Sequence, residues 1–149
     1  MVIDSLWVYP LKGGAGMRVD EWELDSFGPV HDRRWMVVDG NGGFLSQRGD
    51  PMLGQVVPAL EADQLVLRSA SAGELRLPLG PAAGGEAARV RVWADEVAAT
   101  DCGGDAAAFM TRHLGREARV VYMPETAVRP LPEAYAPHGG RVSFADAFP

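Results

Sequence analysis

Arg34-Trp35-Met36-Val37-Val38-Asp39-Gly40-Asn41-Gly42-Gly43-Phe44-Leu45-Ser46-Gln47 is the stretch whose reading decides the fold class. A bulky, mostly apolar run over Arg34–Asp39 stops at four residues that accept the positive φ of a tight turn, and Phe44–Gln47 then resumes. That pattern predicts a β-hairpin. On either side, short apolar or alternating segments recur between turn signals about ten residues apart, the spacing of a sandwich or small barrel. Val2–Tyr9 is stopped by Pro10 and the Gly13-Gly14-Ala15-Gly16 loop, and Arg18–Leu24 follows. Gln55–Glu61 and Gln64–Ala70 flank Ala62-Asp63, and Ser71-Ala72-Gly73 turns into Glu74–Leu79. Past the low-complexity Gly80–Ala88 loop, Arg89–Trp93 and Glu96–Thr100 meet at Ala94-Asp95, and Arg119–Met123 is a last strand.

One segment is helical. From Asp105 to Leu114, Ala106, Phe109, Met110 and Leu114 fall at i, i+3, i+4 and i+8, a single stripe at 3.6 residues per turn. Asp101 or Gly104 is placed to cap its start, and Gly115 to end it in a left-handed conformation. The expectation is a mainly β (α+β) fold, a small β-barrel of seven to ten short strands with one helix over an open end. It occupies residues 1–123. The Pro/Gly-rich segment 124–149 resists regular structure, yet Tyr135, Val142, Phe144 and Phe148 are too apolar for a solvated tail.

The chain has 149 residues, one domain's worth, with 14 Lys plus Arg against 20 Asp plus Glu and a formal charge of −6. Broad neutralisation of a phosphate backbone needs a basic face, so no nucleic-acid partner is expected. A single Cys102 makes no intrachain disulfide, which points to a reducing compartment. The start, Met1 to Trp7, carries Asp4 and no basic n-region, and no apolar run approaches a membrane span. A soluble, cytoplasmic protein without membrane contact is the resulting expectation.

His31, His113 and His138 are scattered, and neither HExxH, CxxC nor a Cys beside a His occurs, so no metal site and no catalytic residues are assigned. Lys12-Gly13-Gly14-Ala15-Gly16 fails as a Walker or Rossmann loop: the Lys precedes the glycines, and a strand follows them. Two readings stand for it, an anion-binding concavity of backbone amides with Lys12 at its edge, and a plain hairpin loop with Lys12 in solvent. In His31-Asp32-Arg33-Arg34-Trp35, adjacent strand residues face opposite ways, so one Arg is directed inward and needs Asp32 or an anion as partner. The other reading is an Asp–Arg surface pair. Gln47-Arg48 is a third cationic spot. Trp7, Trp22, Trp35 and Trp93 lie in strand-like stretches and read as packing residues, and Cys102 reads as a small buried residue.

The ordered set Trp7-Val8-Tyr9-Pro10-Leu11-Lys12, Leu24 to Phe27-Gly28, Asp32–Asp39, Phe44–Arg48 and Pro51 resembles the MOSC N-terminal β-barrel domain. So do Val90-Arg91-Val92-Trp93, Cys102-Gly103-Gly104-Asp105 and Val142–Pro149. In that family this domain precedes a MOSC domain, and the two-domain proteins bind molybdenum cofactor and reduce N-hydroxylated substrates. The resemblance implies that Lys12, Gly13, Gly14, Arg33 and Arg48 hold the phosphate or polar edge of the molybdopterin. It implies an accessory, cofactor-orienting domain whose partner is a MOSC domain in cis or another protein, with the molybdenum-ligating Cys in that MOSC domain and not at Cys102. The family's usual Ser-Cys after Pro-x-Lys is Gly13-Gly14 here, which leaves only backbone donors. The alternative is a stand-alone binding or interaction module without enzymatic activity, docking through Tyr135, Phe144 and Phe148.

Overall fold

The structure is a computed structural model that describes residues 2–131, 133–134 and 139–146. Its strands are β1 (Leu6–Val8), β2 (Met17–Val19), β3 (Leu24–Asp25), β4 (Gly28–Pro29), β5 (Trp35–Val38), β6 (Val57–Glu61), β7 (Gln64–Ser69), β8 (Gly73–Pro78), β9 (Ala87–Val92), β10 (Asp95–Asp101) and β11 (Arg119–Tyr122). The one helix, α1, spans Gly104–Leu114, and a 3-10 turn spans Pro51–Gln55. Among the described residues the fold is mostly β with a single helix, as the patterning predicts.

The centre is a four-stranded antiparallel sheet in the order β5-β11-β10-β9, accompanied by the meander β6-β7-β8 and the pairs β1-β2 and β3-β4. Side chains alternate across a strand, and β5 uses both of its faces. Trp35 and Val37 enter one core with Leu11, Leu53, Leu65, Leu67, Phe109, Met110, Val120 and Tyr122. Met36 and Val38 enter a second core with Val90, Val92, Val97, Val121, Met123 and Phe144. A strand buried on both sides reads as a continuous apolar run, which is why Trp35–Val38 shows no alternation in sequence.

Strand β5 lies at the sheet's edge, and an uncovered edge exposes a row of unpaired amides and carbonyls. Here it is covered from two directions. Arg33 donates its amide to Tyr9 O (2.7 Å), Trp35 to Pro10 O (3.1 Å), and Lys12 to Trp35 O (2.8 Å), which lays residues 9–12 alongside. Leu45 donates to Val37 O (2.9 Å). These bonds draw the Lys12 loop, Arg33 and the Phe44–Arg48 arm to one end of the molecule.

Several local expectations are corrected. The hairpin turn forms, with Asp39 N donating to Gly43 O, but Phe44–Gln47 contributes only the Val38↔Phe44 bridge instead of a ladder. The reason is competition from β9: Gly43 bridges Arg91, and the Phe44 amide donates to Arg91 O (3.2 Å). Gly42 makes this crossing feasible, since its φ is 78° and an added Cβ would stand 2.9 Å from Arg89 O. The strand expected over Arg18–Leu24 splits into β2 and β3. Gly103, not Asp101 or Gly104, is the N-cap of α1; Asp101 Oδ1 instead accepts the Gly103 amide (2.7 Å), while Gly115 ends the helix at φ 68°.

Beyond residue 123, Ala127, Arg129, Val142, Ser143 and Phe144 are buried, and Pro130 bridges Arg141. Among the described residues the chain therefore packs there without regular elements. Tyr135, Pro137, His138 and Phe148 lie outside the described residues.

Candidate functional site

At the covered end of β5, Tyr9, Lys12, Gly13, Gly14, Arg33, Leu45, Ser46, Gln47, Arg48, Trp93 and Asp146 line a cleft of about 600 Å3. All five sequence-predicted site residues are brought together here. Each of the three cations lies over an aromatic ring. The Arg33 guanidinium lies 5.8 Å from the Tyr9 ring centroid, the Lys12 ammonium 5.2 Å from Phe44, and the Arg48 guanidinium 6.0 Å from Trp93. Each contact is within the range of a cation–π attraction.

Lys12 is 3% exposed, so its placement in solvent by the plain-loop reading is overturned. Its ammonium pairs with the carboxylate of Asp146, whose own side chain is 69% exposed. Burial pushes the Lys12 pKa below its usual 10.5; the Asp146 contact opposes that shift, and Arg129 and Arg33 add to it. Asp146 is held by backbone anchoring. Buried Arg129 donates to Ser143 O (3.1 Å) and Ala145 O (2.6 Å), and its Nε donates to Asp95 Oδ2 (2.7 Å).

The two adjacent arginines divide their work differently from strand alternation. Arg33 has φ 49° and precedes β5, so the period-two argument does not reach it. Arg34 is the inward residue, 2% exposed, and donates to Met123 O (2.7 and 3.0 Å), Tyr122 Oη (3.1 Å) and Glu125 Oε1 (2.9 Å), with Phe27 stacked at 4.1 Å. Arg33 pairs with Asp32, whose Oδ1 accepts the Tyr9 amide (2.7 Å), and its half-buried side chain opens onto the cleft. The Asp–Arg pair and the cleft-facing cation are thus the same group.

The glycine loop is also corrected. The Gly14 amide donates to Leu11 O (2.9 Å) and the Ala15 amide to Val56 O (2.9 Å), so these two donors are spent within the fold. Gln47 Nε2 donates to Gly13 O (2.8 Å) and pins the loop against the 44–48 arm. The side-chain cations and the Gly13 amide, which makes no backbone bond among the described residues, are what this loop's surroundings offer an anion.

Three cleft residues escaped the sequence reading as site residues: Asp146, Tyr9 and Trp93. Asp146 carries no local signal, because its contact with Lys12 spans 134 positions. Trp93 and Trp7 are each 48% exposed, so neither is a core residue, whereas Trp35 is fully buried. Cys102 is half-buried in a different cleft, beside α1, and burial together with Asp101 pushes its thiol up to about 12. A cleft of similar size, about 610 Å3, carries Glu21 and Glu23 with His31 and lacks Lys and Arg. Among the described residues no cluster of three His, Cys, Asp or Glu is arranged to hold a metal, and no helix is long and apolar enough to cross a membrane.

Comparison with known proteins places these features in a family. The MOSC N-terminal beta barrel domain matches residues 1–117. The chain is 33% identical to the molybdenum cofactor sulfurase of Danio rerio over 80% of its own length and 15% of that protein's. It is 31% identical to the mitochondrial amidoxime-reducing component 1 of Mus musculus over 99% of its length and 46% of that protein's. The chain thus spans less than half the length of these curated relatives. A solution structure from Bordetella bronchiseptica shares the fold at a TM-score of 0.55 and 24% identity, covering 67% of this chain and 84% of that one. The chain belongs to the MOSC N-terminal beta barrel domain family.

Proposed function

We propose that the Lys12–Arg33–Arg48 cleft receives the anionic end of molybdenum cofactor, so that the chain serves as an accessory domain orienting that cofactor. The observation that carries this reading is the convergence of the three cations, 36 positions apart at the extremes, on one cleft whose only acid among the described residues is Asp146. The relatives named above, a molybdenum cofactor sulfurase and an amidoxime-reducing component, supply the context.

The donor set suits the phosphate of a molybdopterin and does not suit its metal. Lys12 is buried with a single exposed carboxylate as its charge partner, and Arg33 opens onto the same space with donors to spare beyond Asp32. A phosphate in the cleft exchanges one charge-assisted contact of Lys12, that to Asp146, for another, and it adds bonds from the spare donors of Arg33, each worth about 1.5–3 kcal/mol. Among the described residues no thiolate or imidazole lines the cleft, so none of its described side chains is suited to hold the molybdenum. The cofactor supplies the redox chemistry, and this chain's residues bind and orient it. A MOSC domain, in cis or on another protein, is the proposed partner.

Titration of molybdopterin into the wild-type chain and into a Lys12→Ala, Arg33→Ala variant tests the reading by calorimetry. Saturable binding by the wild type, weakened at least about tenfold in the variant, is expected from the loss of two charge-assisted contacts. Equal affinity, or no binding by either protein, removes the proposal.

A further inference from the structure

Trp93 sits where the local backbone favours glycine. Val92 pairs with Asp95, so Trp93 and Ala94 form the two-residue connection between β9 and β10. Trp93 has φ 55°, and Ala94 is not among the positive-φ residues, which matches the hairpin turn that calls for Gly at its first central position. A large aromatic side chain in the left-handed region is a strained choice, and such choices cluster at ligand sites. Nothing in the turn requires an indole.

The ring is nevertheless held in place. Phe44 meets it edge-on, with centroids 4.9 Å apart and planes inclined by 61°, and the Arg48 guanidinium lies 6.0 Å from its centroid. The turn itself is tethered through Asp95, which accepts from the buried Arg129. Arg129 also holds the carbonyls flanking the approach to Asp146, so one guanidinium fixes both Trp93's turn and the acid opposite Lys12. With Phe44 packed against it and Arg48 over one face, the indole remains 48% exposed and forms part of the cleft wall.

We infer that Trp93 is a stacking platform, and that the cleft selects ligands carrying a flat heteroaromatic ring joined to a phosphate, the ring against the indole and the phosphate toward Lys12 and Arg33. This deepens the proposed function and rests on it for the phosphate position. Ring and anion are recognised by separate residues, so their contributions separate experimentally. Stacking on an aromatic side chain tolerates any planar ring, which makes a simple pterin an adequate probe.

The test compares inorganic phosphate with neopterin monophosphate as probes, using the 149-residue chain and its Trp93→Gly and Trp93→Phe variants, with affinities from calorimetry. The wild type is expected to bind the pterin phosphate more tightly than phosphate alone. Trp93→Gly is expected to weaken the pterin phosphate at least about fivefold while changing phosphate affinity less than about twofold, and Trp93→Phe to restore most of the loss. Because glycine relieves the backbone at this position, thermal unfolding of Trp93→Gly is expected at or above the wild-type temperature, which separates lost stacking from lost folding. Equal affinities of the two probes for the wild type, or equal weakening of both by Trp93→Gly, overturn the stacking role and leave the cationic site standing. Failure of the wild type to bind phosphate in either form overturns the cationic site and the inference with it.

Discussion

The ammonium of Lys12 rests against the carboxylate of Asp146, and the asymmetry of the pair governs what it does: the lysine is buried, the aspartate mostly in water. Removing the lysine therefore leaves no stranded buried charge, because Asp146 rehydrates, whereas keeping it costs desolvation. An anion entering the cleft competes with Asp146 for the same donor.

Lys12→Met is accordingly expected to keep or raise the unfolding temperature at pH 7 while abolishing phosphate binding. With the folded pKa of Lys12 below its unfolded value of 10.5, the cost of its charge is fully present below the folded pKa and fades as pH rises toward 10.5. The advantage of the Met variant should shrink over that interval. A calorimetric scan at pH 7 and pH 10 checks it, and a Met variant several degrees less stable at pH 7 speaks against this account.

Asp146→Asn should tighten phosphate binding by a few-fold, since a neutral amide competes less well for the ammonium. In the wild type, phosphate affinity should decline with rising pH before 10.5 is reached, because burial depresses the Lys12 pKa. Phosphate titrations at half-unit steps from pH 8 upward read both effects. A pH-independent affinity across that range would show that Lys12 is not the partner.

Neighbouring arginines should respond in opposite ways. Arg34→Lys loses the bidentate grip on Met123 O and the stack on Phe27, at a cost of about 2 kcal/mol in urea unfolding. Arg33→Lys should alter stability by less than about 1 kcal/mol, as its pair with Asp32 is partly exposed. Phosphate affinity should follow the reverse order. The same loss of stability in both variants would refute the division of labour.

His31 is half-buried beside Arg34, and desolvation followed by that positive neighbour lowers its pKa from 6.5. Its folded pKa is below its unfolded one, so stability is full above 6.5 and declines as pH falls from 6.5 toward the folded value. His31→Asn, which tolerates the φ of 66° found there, should flatten that decline. Urea midpoints at pH 7.5 and pH 5.0 provide the comparison, and an undiminished pH slope in the variant counts against His31 as its source.

With its thiol pushed up to about 12 by burial, Cys102 stays protonated at pH 8. A disulfide reagent should label it slowly in the native chain and rapidly in urea. Rapid native labelling would contradict the burial described.

Legibility in sequence was uneven, and particular elements show why. Helix α1 was readable almost to the residue because Ala106, Phe109 and Met110 place one stripe on a core, a local periodicity. β7 and β8 were equally plain, each bounded by its own turn. The Phe44 arm was not: its hydrogen-bonding partner is Arg91 of β9, and no pattern near residue 44 reports a bridge nearly fifty positions away. Arg33 and Arg34 were singled out together, yet which one turns inward depended on the left-handed backbone of Arg33.

By itself, then, the amino-acid order determined the class of fold, the helix, most turns and the short roll of cations that line the cleft. Those features follow from periodicity, glycine placement and charge, all carried within a few residues. Only tertiary structure decided that Lys12 is buried, that its charge is answered by Asp146, and that Trp93 walls the same cleft. These are contacts between segments brought together by the edge of β5, where hydrogen bonds and desolvation act through space and distance along the chain carries no information.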